Sequence, residues 1–245
     1  MENDQDDLLG SLGFIFPQNS YQLQNFKVTY ANYQHKANEA AVNPDRILSK
    51  IAFDNIEVTG VDFHKRLVLA AEIVYQSQED PHMGHLKLEK VLYLCLNVNH
   101  ISFYANFLKQ AMGPYDPTMI RSLDKQFEKN RWFKYSYDSF PKYTPLENVG
   151  QHKLWFNRYF ANQAGDLDTL INTFKIFTGN QIELVATIFE CWKEILEDKK
   201  QFGIDLITEK VYAWSEAKAK FSTNQIANAV SWMEDKGLYP NPSFS

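Results

Sequence analysis

The spacing of apolar residues along this chain changes near residue 60. Beyond Val61 almost every segment repeats its apolar positions at three- and four-residue intervals, the spacing that gives a helix one buried face. In DFHKRLVLAAEIVYQ the repeat falls on Leu67, Ala71, Val74 and Tyr75. In LKLEKVLYLCLNV it falls on Leu88, Val91, Leu92, Cys95 and Val98, with Lys87, Glu89 and Lys90 off the stripe, and these two helices are expected to pack together. Further helices are predicted in PTMIRSLDKQFEKN, HKLWFNRYFANQ, LDTLINTFKIF and IELVATIFECWKEILEDK, then from about Asp205 to Ala217 and from Ser222 to Asp235. The last has a Ser222 cap and a Gly237 stop. RWFKYSYDSFPKYTPL breaks the period and is rich in aromatics, which predicts a short β-hairpin near 131–146.

Within Leu108–Phe127, GPYDP interrupts what otherwise reads as helix. Gly113 is expected to end one helix, Pro114 to prevent its continuation, and Asp116-Pro117 to start the next. The first 60 residues differ in character. Residues 1–13 are acidic and poor in apolar groups, as in a tail, and FKVTYANYQ alternates like a strand. Asn43-Pro44 opens a short helix to about Phe53, and IEVTGV reads as a strand. The chain is thus expected to be mainly α: a tail and small mixed region over 1–60, then a helical module over 61–245 with a sub-boundary near 179.

Composition narrows the class. With 44% hydrophobic and 15% aromatic residues, 245 residues can bury a core large enough to offset their ordering entropy. No apolar run has the length of a membrane span, and the start MENDQDDLLGSLGFIF is acidic where a secretory signal is basic, so a cytoplasmic protein is expected. Cys95 and Cys191 sit inside apolar patterns, as reduced core thiols do. A net charge of -5 lacks the strongly basic footprint of a free-standing nucleic-acid binder.

Candidate chemistry is sparse. His82 and His85 are two possible metal ligands where a zinc site needs three or four, so neither a metal nor another cofactor is expected. Phosphate-binding glycine loops, the serine nucleophile elbow and the zinc-protease helix are all missing, and the carboxylates are scattered along helix faces, which together point away from catalysis. Two surfaces stand out instead. Tyr115 and Asp116, with Lys87, Lys90 and Arg121, form a candidate partner-binding patch; the competing expectation is that Tyr115 packs inward and Asp116 only caps its helix. The C-terminal helix pair has the order of a helix-turn-helix or winged helix, with Thr223, Asn224, Gln225 and Asn228 as candidate groove readers and Lys210, Lys218 and Lys220 near phosphates.

LKLEKVLY, followed twenty residues later by AMGPYDP, carries a family resemblance. From about Phe63 to Pro240 the chain resembles a helical module at the C-terminal end of some bacterial type I restriction-modification specificity subunits. The matching stretches include FHKRLVLAAEIVYQ, GHLKLEKVLYLC, NFLKQAMGPYDPTMIRSLDKQF, FPKYTPLE, ELVATIFECWKEI and KFSTNQIANAVSWMEDKGLYP. The chain is too short to hold two target-recognition domains and their spacer helices, so the resemblance implies an accessory protein that docks on a restriction complex and possibly on its DNA. A looser similarity is to the Panacea domain of antitoxins, through Lys87, Leu88, Lys90, Val91, Leu92 and Tyr93 and then Gly113-Pro114. That similarity implies an antitoxin that binds and neutralises a toxin.

Overall fold

The helical segments pack around one of their own number. A computed structural model describes residues 60–101, 107–136 and 142–240. The tail, the strand FKVTYANYQ and the short helix expected within 1–59 lie outside the described residues; of the expected strand IEVTGV only Gly60 and Val61 are described, and they are helical. Those described form eight α-helices, one 3-10 turn and two antiparallel hairpins: α1 (Gly60–Gln76), α2 (His85–Val98), β1 (Leu108–Gln110), β2 (Gly113–Tyr115), α3 (Pro117–Lys129), β3 (Phe133–Ser136), β4 (Lys142–Pro145), α4 (Lys153–Tyr159), α5 (Ala164–Lys175), α6 (Gly179–Glu197), α7 (Ile204–Trp214), the 3-10 turn Glu216–Lys220 and α8 (Thr223–Asp235). The mainly α fold is therefore as expected. No described helix is long and apolar enough to cross a membrane.

Helix α2 lies at the centre, packed against α6, α1, α5 and β2. Leu88, Val91, Leu92, Cys95 and Val98 are buried as their spacing predicts, but so are Lys87, Glu89, Lys90 and Tyr93. The sequence pattern put the charged residues on an outer face, whereas here every residue from Lys87 to Leu96 is buried. α6 is the second axis, with Ile182, Leu184, Val185, Ile188, Cys191 and Ile195 in the same core. That core includes residues on both sides of Gly179, so the expected seam near 179 marks the start of a helix inside a continuous packing unit.

Helix ends explain most boundaries. Capping boxes at Thr178/Gln181 and Ser222/Gln225 start α6 and α8. At the other end of α8, Gly237 adopts φ +63 and the Leu238 amide donates to the Met233 carbonyl at 2.7 Å, the six-residue closure that ends helices. The same closure ends α2, α3 and α6 with His100, Arg131 and Lys199 at positive φ where glycine is usual. Their side chains give the sequence no stop signal.

The hairpin predicted near 131–146 is present, with Phe133 opposite Pro145 and Ser136 opposite Lys142. The helix expected before Gly113 is not. Residues 108–110 and 113–115 pair as antiparallel strands across Ala111-Met112, with Leu108 opposite Tyr115. Strands of three residues are too short to impose an alternating pattern that outweighs an apolar helical one. The 3-10 turn likewise replaces the end of the helix expected to reach Ala217. No strand follows α8 among the described residues, so they contain no wing.

Candidate functional site

The two motifs that carry the resemblance meet at one junction. Gly113 sits at φ +95, and a Cβ there would lie 3.0 Å from Thr187 Oγ1 on α6 and 3.4 Å from Lys90 Cε on α2. Only a residue without a side chain lets β2 approach both helices so closely. The Lys90 ammonium donates to the Pro114 carbonyl and lies 5.3 Å from the centre of the Tyr115 ring. The Asp116 amide donates to the Glu89 carboxylate at 3.2 Å. The Asp116 carboxylate in turn accepts from the Thr118 and Met119 amides at 3.1 and 2.9 Å, capping α3, and Pro117 occupies the first helical position. Each residue of GPYDP is thus engaged by α2, α6 or the helix it starts.

Burial governs the charges here. It pushes the Glu89 carboxyl up, opposed by the Lys90 charge and the Asp116 amide. It pushes the Lys90 ammonium down, opposed by Glu89. Nearby, Lys218 and Glu183 form an ion pair at 2.7 Å with both side chains wholly enclosed, and Lys220 adds a second bond to Glu183 at 2.9 Å. Glu183 thereby fastens the 3-10 turn to α6.

Of the five residues expected to face a partner, three are enclosed. Lys87 is 2% exposed, Lys90 0% and Asp116 7%. Lys87 points away from GPYDP to the end of α5, where it pairs with Asp80 and donates to the Lys175 carbonyl at 2.9 Å and to that of Phe177. It replaces the water that would otherwise meet those helix-end carbonyls. The physical reason for the correction is that Lys87 finds carbonyl and carboxylate acceptors inside the fold, Lys90 a carbonyl, and Asp116 the amides of the helix it caps, none of which hydropathy spacing registers. Tyr115 is half-buried and packs against the core, and Arg121, on the exposed face of α3, acts on its hydroxyl electrostatically. Those two are the members of the set left near solvent.

The C-terminal candidates divide similarly. Thr223, Asn224 and Asn228 are exposed on α8. Gln225 accepts from the Ser222 amide at 2.7 Å as half of a capping box. Lys210 pairs with Glu194 at 3.2 Å, and Lys218 and Lys220 share Glu183, so each cation expected near phosphates is tied to a carboxylate of α6. The histidines disperse too. The His82 amide donates to Asp80, while the His85 ring pairs with Asp124 at 2.9 Å and stacks on Tyr135 at 3.5 Å. No group of three metal-ligating side chains occurs among the described residues. Both cysteines are buried, and burial drives the Cys95 thiol far up and that of Cys191 to about 12.

One feature escaped the sequence pattern. Leu154 and Trp155 lie off the stripe of Phe156 and Phe160 on short helix α4, and they border an open cavity of 710 Å³. The signal was present as apolar residues on both sides of a seven-residue helix. Comparisons with protein-family models, characterised proteins and solved structures return no match for this chain.

Proposed function

We propose that this chain is a non-catalytic accessory protein of a bacterial type I restriction-modification system, working in the cytoplasm by docking on protein subunits and touching DNA only in their company. The observation that carries this is the Lys90–Pro114 bond. It ties LKLEKVLY to GPYDP across two dozen residues, so the two motifs behind the resemblance are a single packed unit. A match spread over a framework of this kind implies a shared fold from about Phe63 to Pro240, and with it a shared docking role. The engagement of the titratable groups supports a non-catalytic part: Lys87, Glu89, Lys90, Asp116, Glu183 and Lys218 all hold backbone or one another. DNA contact would rest on Thr223, Asn224 and Asn228, with little help from Lys210 or Lys220.

The same bond also supports a second function, a Panacea-type antitoxin, because it joins the lysine-rich helix to the Gly-Pro turn that form the hallmark of that domain. Affinity capture of the tagged full chain from its host, followed by mass spectrometry, separates the two. Methyltransferase and restriction subunits are expected under the first and a small toxic protein under the second. Recovery of neither would refute both.

A further inference from the structure

The cavity beside α4 is lined by His64, Lys129, Asn130, Trp132, Asn148, Gly150, Gln151, Leu154 and Trp155. Its floor is fixed. Trp132 is buried, its amide donates to the Phe127 carbonyl and its own carbonyl accepts from Leu146. One wall is an aromatic stack: Trp155 lies on Tyr159 with centroids 5.7 Å apart, and His64 meets both edge-on while its Nδ1 pairs with the Tyr159 hydroxyl at 3.0 Å. The rim is apolar, with Leu154 75% exposed, Trp155 37% exposed and Val61 one turn from His64 on the same face of α1.

Charge and hydrogen-bonding capacity narrow what this site takes. Among the described residues no carboxylate lines it, although the chain carries a net charge of -5. Lys129 in the lining, and Arg158 at 5.8 Å over the Trp155 ring, have no carboxylate partner among the described residues. The side-chain amides spend donors on the chain itself: Gln151 donates to Asn148 Oδ1 at 3.1 Å, Asn148 to the Asn130 carbonyl at 3.1 Å, and Asn130 to the Gln126 carbonyl at 2.9 Å. The oxygens Asn130 Oδ1 and Gln151 Oε1 are left as acceptors.

We infer that this cavity is a docking site for an acidic peptide segment of a protein partner, which inserts one aromatic or aliphatic side chain against Trp155 and Trp132. Carboxylates of the segment meet Lys129 and Arg158, and its backbone N–H groups meet the two amide oxygens. Leu154 and Val61 are covered by the same segment, which is what an apolar rim around a polar-lined pocket requires. A nucleotide, whose phosphate would seek the same two cations, is the competing occupant that the displacement measurement below distinguishes. The inference rests on the docking function proposed above but names a site and chemistry that function does not.

A random peptide library displayed on phage, selected on the folded full chain and counter-selected on Leu154→Glu, tests this without any restriction subunit or toxin. Enrichment of sequences joining Phe, Trp or Leu to Asp and Glu is expected. The synthesised consensus peptide should bind at least about tenfold more weakly to Leu154→Glu and Trp155→Ala, and Lys129→Gln should weaken it at low salt only. Leu154 is exposed enough that its variant folds, which a melting curve verifies. No enrichment over the counter-selected variant, a basic consensus, a peptide indifferent to Leu154→Glu, or displacement of the peptide by a mononucleotide at comparable affinity would each overturn the assignment. Failure here leaves the host capture result untouched, and the reverse also holds.

Discussion

Replacing Gly113 by Ala tests the junction most directly. The added Cβ meets two separate penalties. The first is backbone: φ +95 is a conformation that an L-residue adopts at a cost of about 1–3 kcal/mol. The second is contact, since the Cβ would sit 3.0 Å from Thr187 Oγ1, tighter than van der Waals separation. Thr187 cannot yield freely because its hydroxyl donates to the Glu183 carbonyl at 2.8 Å. Rotating it away loses that bond or leaves the rotamer well, at about 0.5–1.5 kcal/mol. On the far side Lys90 Cε stands at 3.4 Å, tethered through its ammonium to Pro114. Together these give roughly 2–4 kcal/mol of destabilisation, or about 5–15 °C in melting temperature for a domain of this size. Urea unfolding followed by circular dichroism should show a lower midpoint at unchanged slope. Thr187→Ala removes the contact but not the backbone strain, so in the double variant the cost of Gly113→Ala should shrink by about 1 kcal/mol. A loss below about 1 kcal/mol for Gly113→Ala, or strict additivity with Thr187→Ala, would refute the close approach of β2 to α6.

Four further outcomes can be checked on the same preparation. Lys87→Met strands the Lys175 and Phe177 carbonyls and unpairs Asp80, and should cost about 2–4 kcal/mol by urea melts. Lys199→Gly should instead stabilise by about 0.5–1 kcal/mol, because Lys199 ends α6 at φ +54 where glycine is unstrained; a loss of stability would contradict that closure. Glu89 gives a pH signature. Burial raises its carboxyl to about 8 from an ordinary 4.5, so between those pH values the folded chain retains a proton that the unfolded chain has released. Stability from this group is fully present below pH 4.5 and declines as pH rises through 8. Glu89→Gln should flatten that decline. Finally, both thiols should resist a disulfide reagent in the folded chain and react on unfolding in urea; fast reaction of either at neutral pH would contradict their burial.

The helices were legible because a buried stripe leaves a period in the sequence: Leu88, Val91, Leu92 and Cys95 are where their spacing puts them. The Ser222 cap and the Gly237 stop were equally local. What stayed hidden depends on contacts between distant segments. Lys87 and Lys90 look like solvated residues until their acceptors, Phe177 and Pro114, are brought to them. The β1–β2 hairpin is set by tertiary contacts, with Trp214 Nε1 donating to the Gln110 carbonyl at 2.7 Å and Ser215 Oγ to that of Ala111 at 3.0 Å. The ends of α2, α3 and α6 fall on His100, Arg131 and Lys199, which carry no stop signal of their own.

Enclosing lysines in this way has a consequence for where partners bind. A buried ammonium must be matched by carbonyls or carboxylates, and each match fixes two elements against each other: α2 to α5 through Lys87, α2 to β2 through Lys90, α6 to the 3-10 turn through Lys218. These groups cannot turn outward to meet a partner without leaving helix-end or strand carbonyls unsatisfied, at about 1–3 kcal/mol for each. Under the docking function proposed above, recognition would therefore come from side chains that the framework does not use. Among the described residues Leu154, Trp155, Lys129 and Arg158 meet that requirement near one cavity, whereas Tyr115 is half committed to the core and Lys220 to Glu183. The motif behind the resemblance and the surface proposed to take a partner thus fall on separate parts of the molecule. Substitutions at the exposed Leu154 of α4 should alter binding at constant stability, and substitutions at GPYDP should do the reverse.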